Sequence, residues 1–132
     1  MKPPQSVASF FVAAVLLVPP VRAAAPTESA HQLARRIAAL ANFHGGLIVH
    51  LGCGDGSLSA ALRLTPNCVV HGLDADADNV ASAQRRLHSL GLYGSVAVMH
   101  WQRPRLPYAD NLATVVVWED TRNFTSNEVW RV

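Results

Sequence analysis

The apolar run Gly46-Leu47-Ile48-Val49 leads through His50 into Leu51-Gly52-Cys53-Gly54-Asp55-Gly56, and Asp74 stands 18 residues beyond the last of these glycines. No other feature limits the possible folds so tightly. A buried strand delivers the backbone to a tight turn, glycines let that backbone approach a ligand closely, and the following helix directs its free amide ends at the same point. The run Cys68-Val69-Val70-His71-Gly72-Leu73 reads as a second strand. Asp74 ends it about 20 residues after the glycines, where an acidic side chain accepts the hydroxyls of a ribose. Strand, glycine turn, helix and strand fit within one βαβ unit and point to a nucleotide cofactor.

Glycine is the ordinary residue of any tight turn, so the loop alone reads equally well as a plain strand-to-helix connection. Order and spacing carry the functional reading. The dinucleotide pattern places its third glycine one residue later, where this chain has Ser57, so NAD or FAD is the poorer match.

At these residues the chain resembles the class I S-adenosylmethionine (SAM) methyltransferases, whose first motif is commonly an acidic residue, an apolar one, then Gly-Cys-Gly-x-Gly. The resemblance runs from about residue 46 to about residue 120. It passes through Asp74, then Trp101-Gln102 after a third strand, then Leu106-Pro107-Tyr108-Ala109-Asp110-Asn111 before a fourth strand from Leu112 to Trp118. It implies an α/β, Rossmann-like, doubly wound parallel sheet with strand order 3-2-1-4, and S-adenosyl-L-methionine as cofactor. The implied cofactor residues are Gly52, Cys53, Gly54, Asp55 and Gly56 around the methionine part, Asp74 with Ala75 at the ribose, and Trp101 with Gln102 at the adenine. His50 departs from the pattern, because the family usually has there an acid that helps bind the cofactor's ammonium group. More narrowly, the chain is similar to the methyltransferase-like segment that precedes a quinoprotein-type β-propeller in some exported bacterial proteins. That likeness implies a downstream domain absent from this chain.

Residues 1–23 have the order of a secretory signal peptide: Lys2, an apolar stretch of 12 residues from Val7 to Val18, then Pro19-Pro20-Val21-Arg22-Ala23. The stretch is shorter than the about 20 residues of a membrane span, and an uncleaved anchor is the alternative. The expected location is therefore exported, or the cytoplasmic side of a membrane if the leader stays. Export conflicts with a cofactor made in the cytosol, so a non-catalytic exported module stands beside the methyltransferase reading. A nicotinamide-nucleotide binder is the third. A complete domain of the resembled family has seven strands, whereas 132 residues with a leader hold about four strand-helix units. Residues 46–132 thus read as a partial domain, a truncated frame or gene fragment, with Val115, Val116 and Val117 on an unprotected sheet edge.

Residues 24–45 are expected to hold a helix capped by Thr27 or Ser29 and running to about Phe43, with Leu33, Ile37, Leu40 and Ala41 on its apolar face. Further helices are expected from Ser57 to about Leu64 and from Asp76 or Asp78 to Gly91, the latter turning Val80, Ala83, Leu87 and Leu90 inward. The third strand is expected from Ser95 to Met99, and a last helix after Ser126.

Other groups carry less. Eleven basic residues are dispersed and the net charge is only +2, which argues against a nucleic-acid track. No pair of the six histidines has zinc-site spacing, so no metal is expected and all six read as structural or incidental. Cys53 and Cys68 fall at opposite ends of neighbouring strands, a separation of about 17–20 Å that no disulfide spans, so both are expected as free thiols. Glu119-Asp120 reads as a solvated loop rather than a substrate-handling pair. Methyl transfer needs mainly alignment, so the sequence nominates no catalytic residue.

Overall fold

A computed structural model of the chain describes residues 28–132; the expected signal peptide lies outside the described residues. The elements are α1 (Ala30–Leu40), β1 (Gly46–Leu51), α2 (Ser57–Leu62), β2 (Cys68–Asp74), α3 (Ala77–Ser89), β3 (Val96–His100), β4 (Val115–Trp118) and α4 (Ser126–Arg131). All pairings are parallel and the order is β3-β2-β1-β4, as expected from right-handed crossovers.

Strand alternation divides the core into two layers. On one face Ile48, Val70, Val96 and Val98 pack against Ala34 of α1, Leu58, Ala61 and Leu62 of α2, and Val80, Ala83 and Leu87 of α3. On the other face Val49, Leu51 and Leu73 meet Leu106, Phe124 and Val132. Both faces of β1 are therefore covered, which is why its apolar residues run nearly without interruption.

Several boundaries differ from the sequence expectation, each for a local reason. Ser29 caps α1 with a reciprocal Gln32 bond, but the helix stops at Leu40 because Asn42 takes a positive φ of 46°. Leu40 is 81% exposed, since the last turn extends past the surface that Ala30, Leu33, Ala34 and Ile37 cover. Leu90, expected inward, is the C-cap of α3 and is 56% exposed; the chain turns at Gly91 and Leu92 packs on the core instead. Helix α2 ends at Leu62 because Arg63 leaves helical geometry, and β3 starts at Val96. Residues 112–114 do not extend β4 as expected. Asn111 and Ala113 instead donate to the carbonyls of Arg131 and Val132, at 2.8 and 2.7 Å. The cap of α4 is Thr125, whose hydroxyl accepts from the Glu128 amide, not Ser126.

Cys53 and Cys68 are both buried free thiols. Burial pushes the Cys53 thiol up to about 12, so it stays protonated at neutral pH and is no nucleophile.

A polar clasp fastens the segment between β3 and β4 to α4. Glu128 Oε1 accepts from the Leu106 amide at 2.7 Å and pairs with Arg131 at 2.5 Å. The Arg131 guanidinium in turn donates to the carbonyls of Leu106 and Tyr108 and to Asp110. The Arg131 bonds hold the Glu128 carboxyl at about 2, below its ordinary value of 4.5. A depressed folded-state value means that the clasp contributes fully above the ordinary value and is lost as pH falls through the interval down to about 2. Thermal unfolding should therefore show Glu128→Gln less stable than the parent at pH 6, with the gap closing progressively below pH 4.5. An unchanging gap across that interval would refute an ionised clasp.

Candidate functional site

All four strands point their carboxyl ends at one edge of the sheet, and β1 lies where the strand order reverses, between β2 and β4. Open α/β sheets bind ligands at this switch point. A cleft of about 940 Å³ occupies it. Gly52 and Gly54 line its floor, Asp74 to Ala77 and Asn79 one wall, His100 and Gln102 one end, and Glu119 to Asn123 the opposite wall.

The three loop glycines all have left-handed φ, +82°, +54° and +79° for Gly52, Gly54 and Gly56, but for different ends. A Cβ on Gly52 would lie 2.7 Å from the Asp120 Cβ and 2.8 Å from its amide nitrogen, so this glycine lets the segment after β4 close over the loop. A Cβ on Gly56 would lie 2.8 Å from the Cβ of Ala83, so this one lets α3 pack on the turn. Around Gly54 a Cβ would meet nothing within 4 Å. Of the three, only Gly54 has open space where a Cβ would stand.

Asp74 braces this turn. Its Oδ2 accepts from the Gly54 amide at 2.8 Å, and its Oδ1 accepts from the Asp76 amide at 2.9 Å and from Asn79 at 3.3 Å. Leu73 O takes the amides of Gly52 and Cys53 at 2.8 and 3.2 Å. Beyond Asp74, Ala75 O accepts from Gln102 Nε2 at 3.1 Å and from His100 Nε2 at 3.0 Å. The Gln102 amide nitrogen is thereby spent on the backbone, leaving its oxygen as the acceptor for a ligand.

Of the residues expected at the cofactor, the structure brings Gly52, Gly54, Asp74, Ala75 and Gln102 to the cleft wall. The side chains of the others point elsewhere. Cys53 is buried beneath the loop against Gly72, and Gly56 is sealed by α3. Asp55 turns outward, bonded to Ser57 and ion-paired with Arg86 at 2.8 Å, and the Ser57 amide holds its carboxyl low. Trp101 does not line the cleft. Its indole donates to Arg105 O at 3.0 Å and its ring packs with the second core layer, with His100 standing at the cleft instead. A strand of alternating faces sends His100 and Trp101 to opposite sides, and the adjacent Leu106-Tyr108 segment draws the indole down.

Sequence reasoning missed the opposite wall. Glu119 and Asp120 are not merely a solvated loop. His50, only 1% exposed, sits between Ser59 and Glu119, with Nδ1 2.8 Å from Ser59 Oγ and Nε2 3.1 Å from Glu119 Oε1. Asp120 accepts from the Arg122 amide at 3.1 Å and from Asn123 at 2.7 Å, and the Arg122 amide bond holds its carboxyl below the ordinary range. The available signal was a histidine where an acid is usual, two carboxylates beyond the neighbouring strand.

The profile of a family described as a methyltransferase domain matches residues 48–132. The chain belongs to the methyltransferase domain family. No curated protein matches it. Its fold is similar to that of a Methanococcus maripaludis protein assigned as an S-adenosyl-L-methionine-dependent methyltransferase, with 23% identity and a TM-score of 0.66 over 75% of this chain and 48% of that one. It is also similar to geranyl diphosphate C-methyltransferase from Streptomyces coelicolor A3(2), with 17% identity and a TM-score of 0.61 over 71% and 36% of the two chains. The 4+2 cyclase SpnF shares 24% identity, with a TM-score of 0.55 over 61% and 30%. At these identities the likeness is one of fold, and this methyltransferase domain spans less than half the length of each of those chains.

The contrast between the glycines is testable by urea unfolding. Gly56→Ala combines a left-handed φ with a collision against α3, and should cost about 3 kcal/mol. Gly54→Ala carries only the backbone strain and should cost about 1 kcal/mol. Equal losses would show that the two positions are not separated into packing and ligand-facing roles.

Proposed function

We propose that the cleft binds S-adenosyl-L-methionine and that the intact protein transfers its methyl group to an acceptor still to be identified. One observation carries this reading: bare backbone at Gly54 and the Asp74 carboxylate stand 2.8 Å apart on the same cleft wall, at the switch point of a methyltransferase-family sheet. The residues present fit the cofactor. Gly54 leaves room for close approach, Asp74 offers acceptor oxygens to ribose hydroxyls, and the Gln102 oxygen can accept from an adenine amino group. When bound, the sulfonium supplies an activated methyl group. The chain's own part is to bind and orient, since an in-line transfer needs alignment before it needs a base. Geranyl diphosphate methyltransferases similar in fold were crystallised with SAM and with S-adenosylhomocysteine.

A second reading is a non-catalytic module that packs against a further domain. It is favoured by the outer strand β4, whose four residues are only half-buried, and by Trp130, 85% exposed beside it. The β-propeller context and export belong to this reading, the first resting on the narrower family likeness and the second on residues 1–23. A nicotinamide nucleotide is disfavoured by Ser57, and Gly56 is occupied with packing against Ala83.

Isothermal titration of S-adenosylhomocysteine into the full chain should give micromolar binding. Asp74→Asn should weaken it about tenfold or more, as expected for losing charge-assisted bonds, and NAD should give no heat. A folded protein that binds no S-adenosylhomocysteine would overturn the cofactor reading and leave the packing module.

A further inference from the structure

Next to last in strand β1 stands not an acid but a buried imidazole, with a partner at each ring nitrogen. An ionised carboxylate has no proton to give, so the Nε2 of His50 must donate to Glu119 Oε1 across their 3.1 Å contact. In a neutral ring Nδ1 is then the acceptor, so the Ser59 hydroxyl, itself fully buried, donates to it across 2.8 Å. The ring thereby ties α2, the end of β1 and the end of β4 together. The backbone is fixed as well, because the Glu119 amide donates to Leu51 O at 2.9 Å.

Glu119 is the group aimed by this relay. The bond from His50 holds its carboxyl below the ordinary range, so it is anionic at neutral pH. Its side chain is 53% exposed and lines the cleft beside Gly52 and Gly54. Oε1 is taken by His50, and Oε2 has no hydrogen-bond partner among the described residues. A half-desolvated carboxylate with one oxygen oriented and the other open is built to receive a cation.

We propose that Glu119, positioned by His50 and Ser59, receives the ammonium group of the cofactor's amino-acid part, so that the acid expected at the end of β1 has moved to the end of the neighbouring β4. Leu51 and Trp118 are register partners, which brings Glu119 to the same edge of the cleft as residue 50. The inference rests on the cofactor reading above. His50 is a positioning residue, acting through the carboxylate it holds.

The test compares two ligands by calorimetry on the full chain. S-adenosylhomocysteine carries the ammonium group, whereas 5′-methylthioadenosine has the same nucleoside and thioether without it. Glu119→Gln keeps an acceptor for His50, and should weaken S-adenosylhomocysteine about tenfold while leaving methylthioadenosine within about twofold. His50→Leu should reproduce that selective loss. His50→Gln, which still offers an amide donor to Glu119, should restore it to within about threefold of the parent. Circular dichroism confirms that each variant is folded. Equal weakening of both ligands, or no weakening of either, overturns the proposal. If the parent binds neither ligand, the cofactor reading itself fails and takes this one with it; if the parent binds both and only Asp74→Asn loses both, the cofactor reading stands and Glu119 has no part in it.

Discussion

The Asp74 carboxylate is the constraint on which the rest of the site depends. Beyond β1 the chain turns through a glycine loop whose amides need acceptors, and a buried amide left unpaired costs about 1–3 kcal/mol. Strand β2, one position over, ends in the acceptors that the turn requires. Leu73 O takes two amides and Asp74 Oδ2 takes that of Gly54. The same carboxylate reaches forward to the Asp76 amide and Asn79, and so sets where α3 begins. Asp74 O also accepts from the Trp101 amide at 2.8 Å, which fixes the exit of β3. One residue thereby coordinates the turn, the helix above it and the chain beyond the third strand, while its outer surface remains on the cleft.

The two faces of the sheet are closed by different physics. Helices α1, α2 and α3 cover one face with apolar side chains, and their burial needs no polar help. The other face is covered among the described residues by the irregular segment after β3 and by the short helix α4. Irregular backbone has carbonyls and amides to satisfy, and the Glu128–Arg131 clasp satisfies several of them from side chains. Holding that segment down also draws the Trp101 indole into the second core layer, which leaves the cleft bordered by His100 and Gln102 rather than by the indole.

Much of this was legible before any coordinates. The glycine turn, a cap at Thr27 or Ser29, and the inward residues Val80, Ala83 and Leu87 follow from short-range rules, whereas the order 3-2-1-4 comes with the family resemblance and the two free thiols with the strand placement it implies. The misreadings share a cause. Leu40 and Leu90 satisfy helical periodicity, but each stands where its helix has already run past the surface it covers. Leu112 to Thr114 have strand composition, but the Val132 carbonyl takes the Ala113 amide and the Arg131 carbonyl that of Asn111 just before them. His50, expected to be structural or incidental, is structural, with partners 9 and 69 residues away that no local pattern reveals.

By itself, then, the sequence determined the βαβ framework and the acidic residue that ends its second strand, because periodicity, glycine placement and spacing act over one or two turns of chain. Only the tertiary structure decided which glycines are taken up by packing, where the Trp101 ring goes, and which carboxylates face Asp74 across the cleft. Those outcomes depend on contacts between β1 and β4 and between the loop and α3, whose distances are set by how the whole sheet packs.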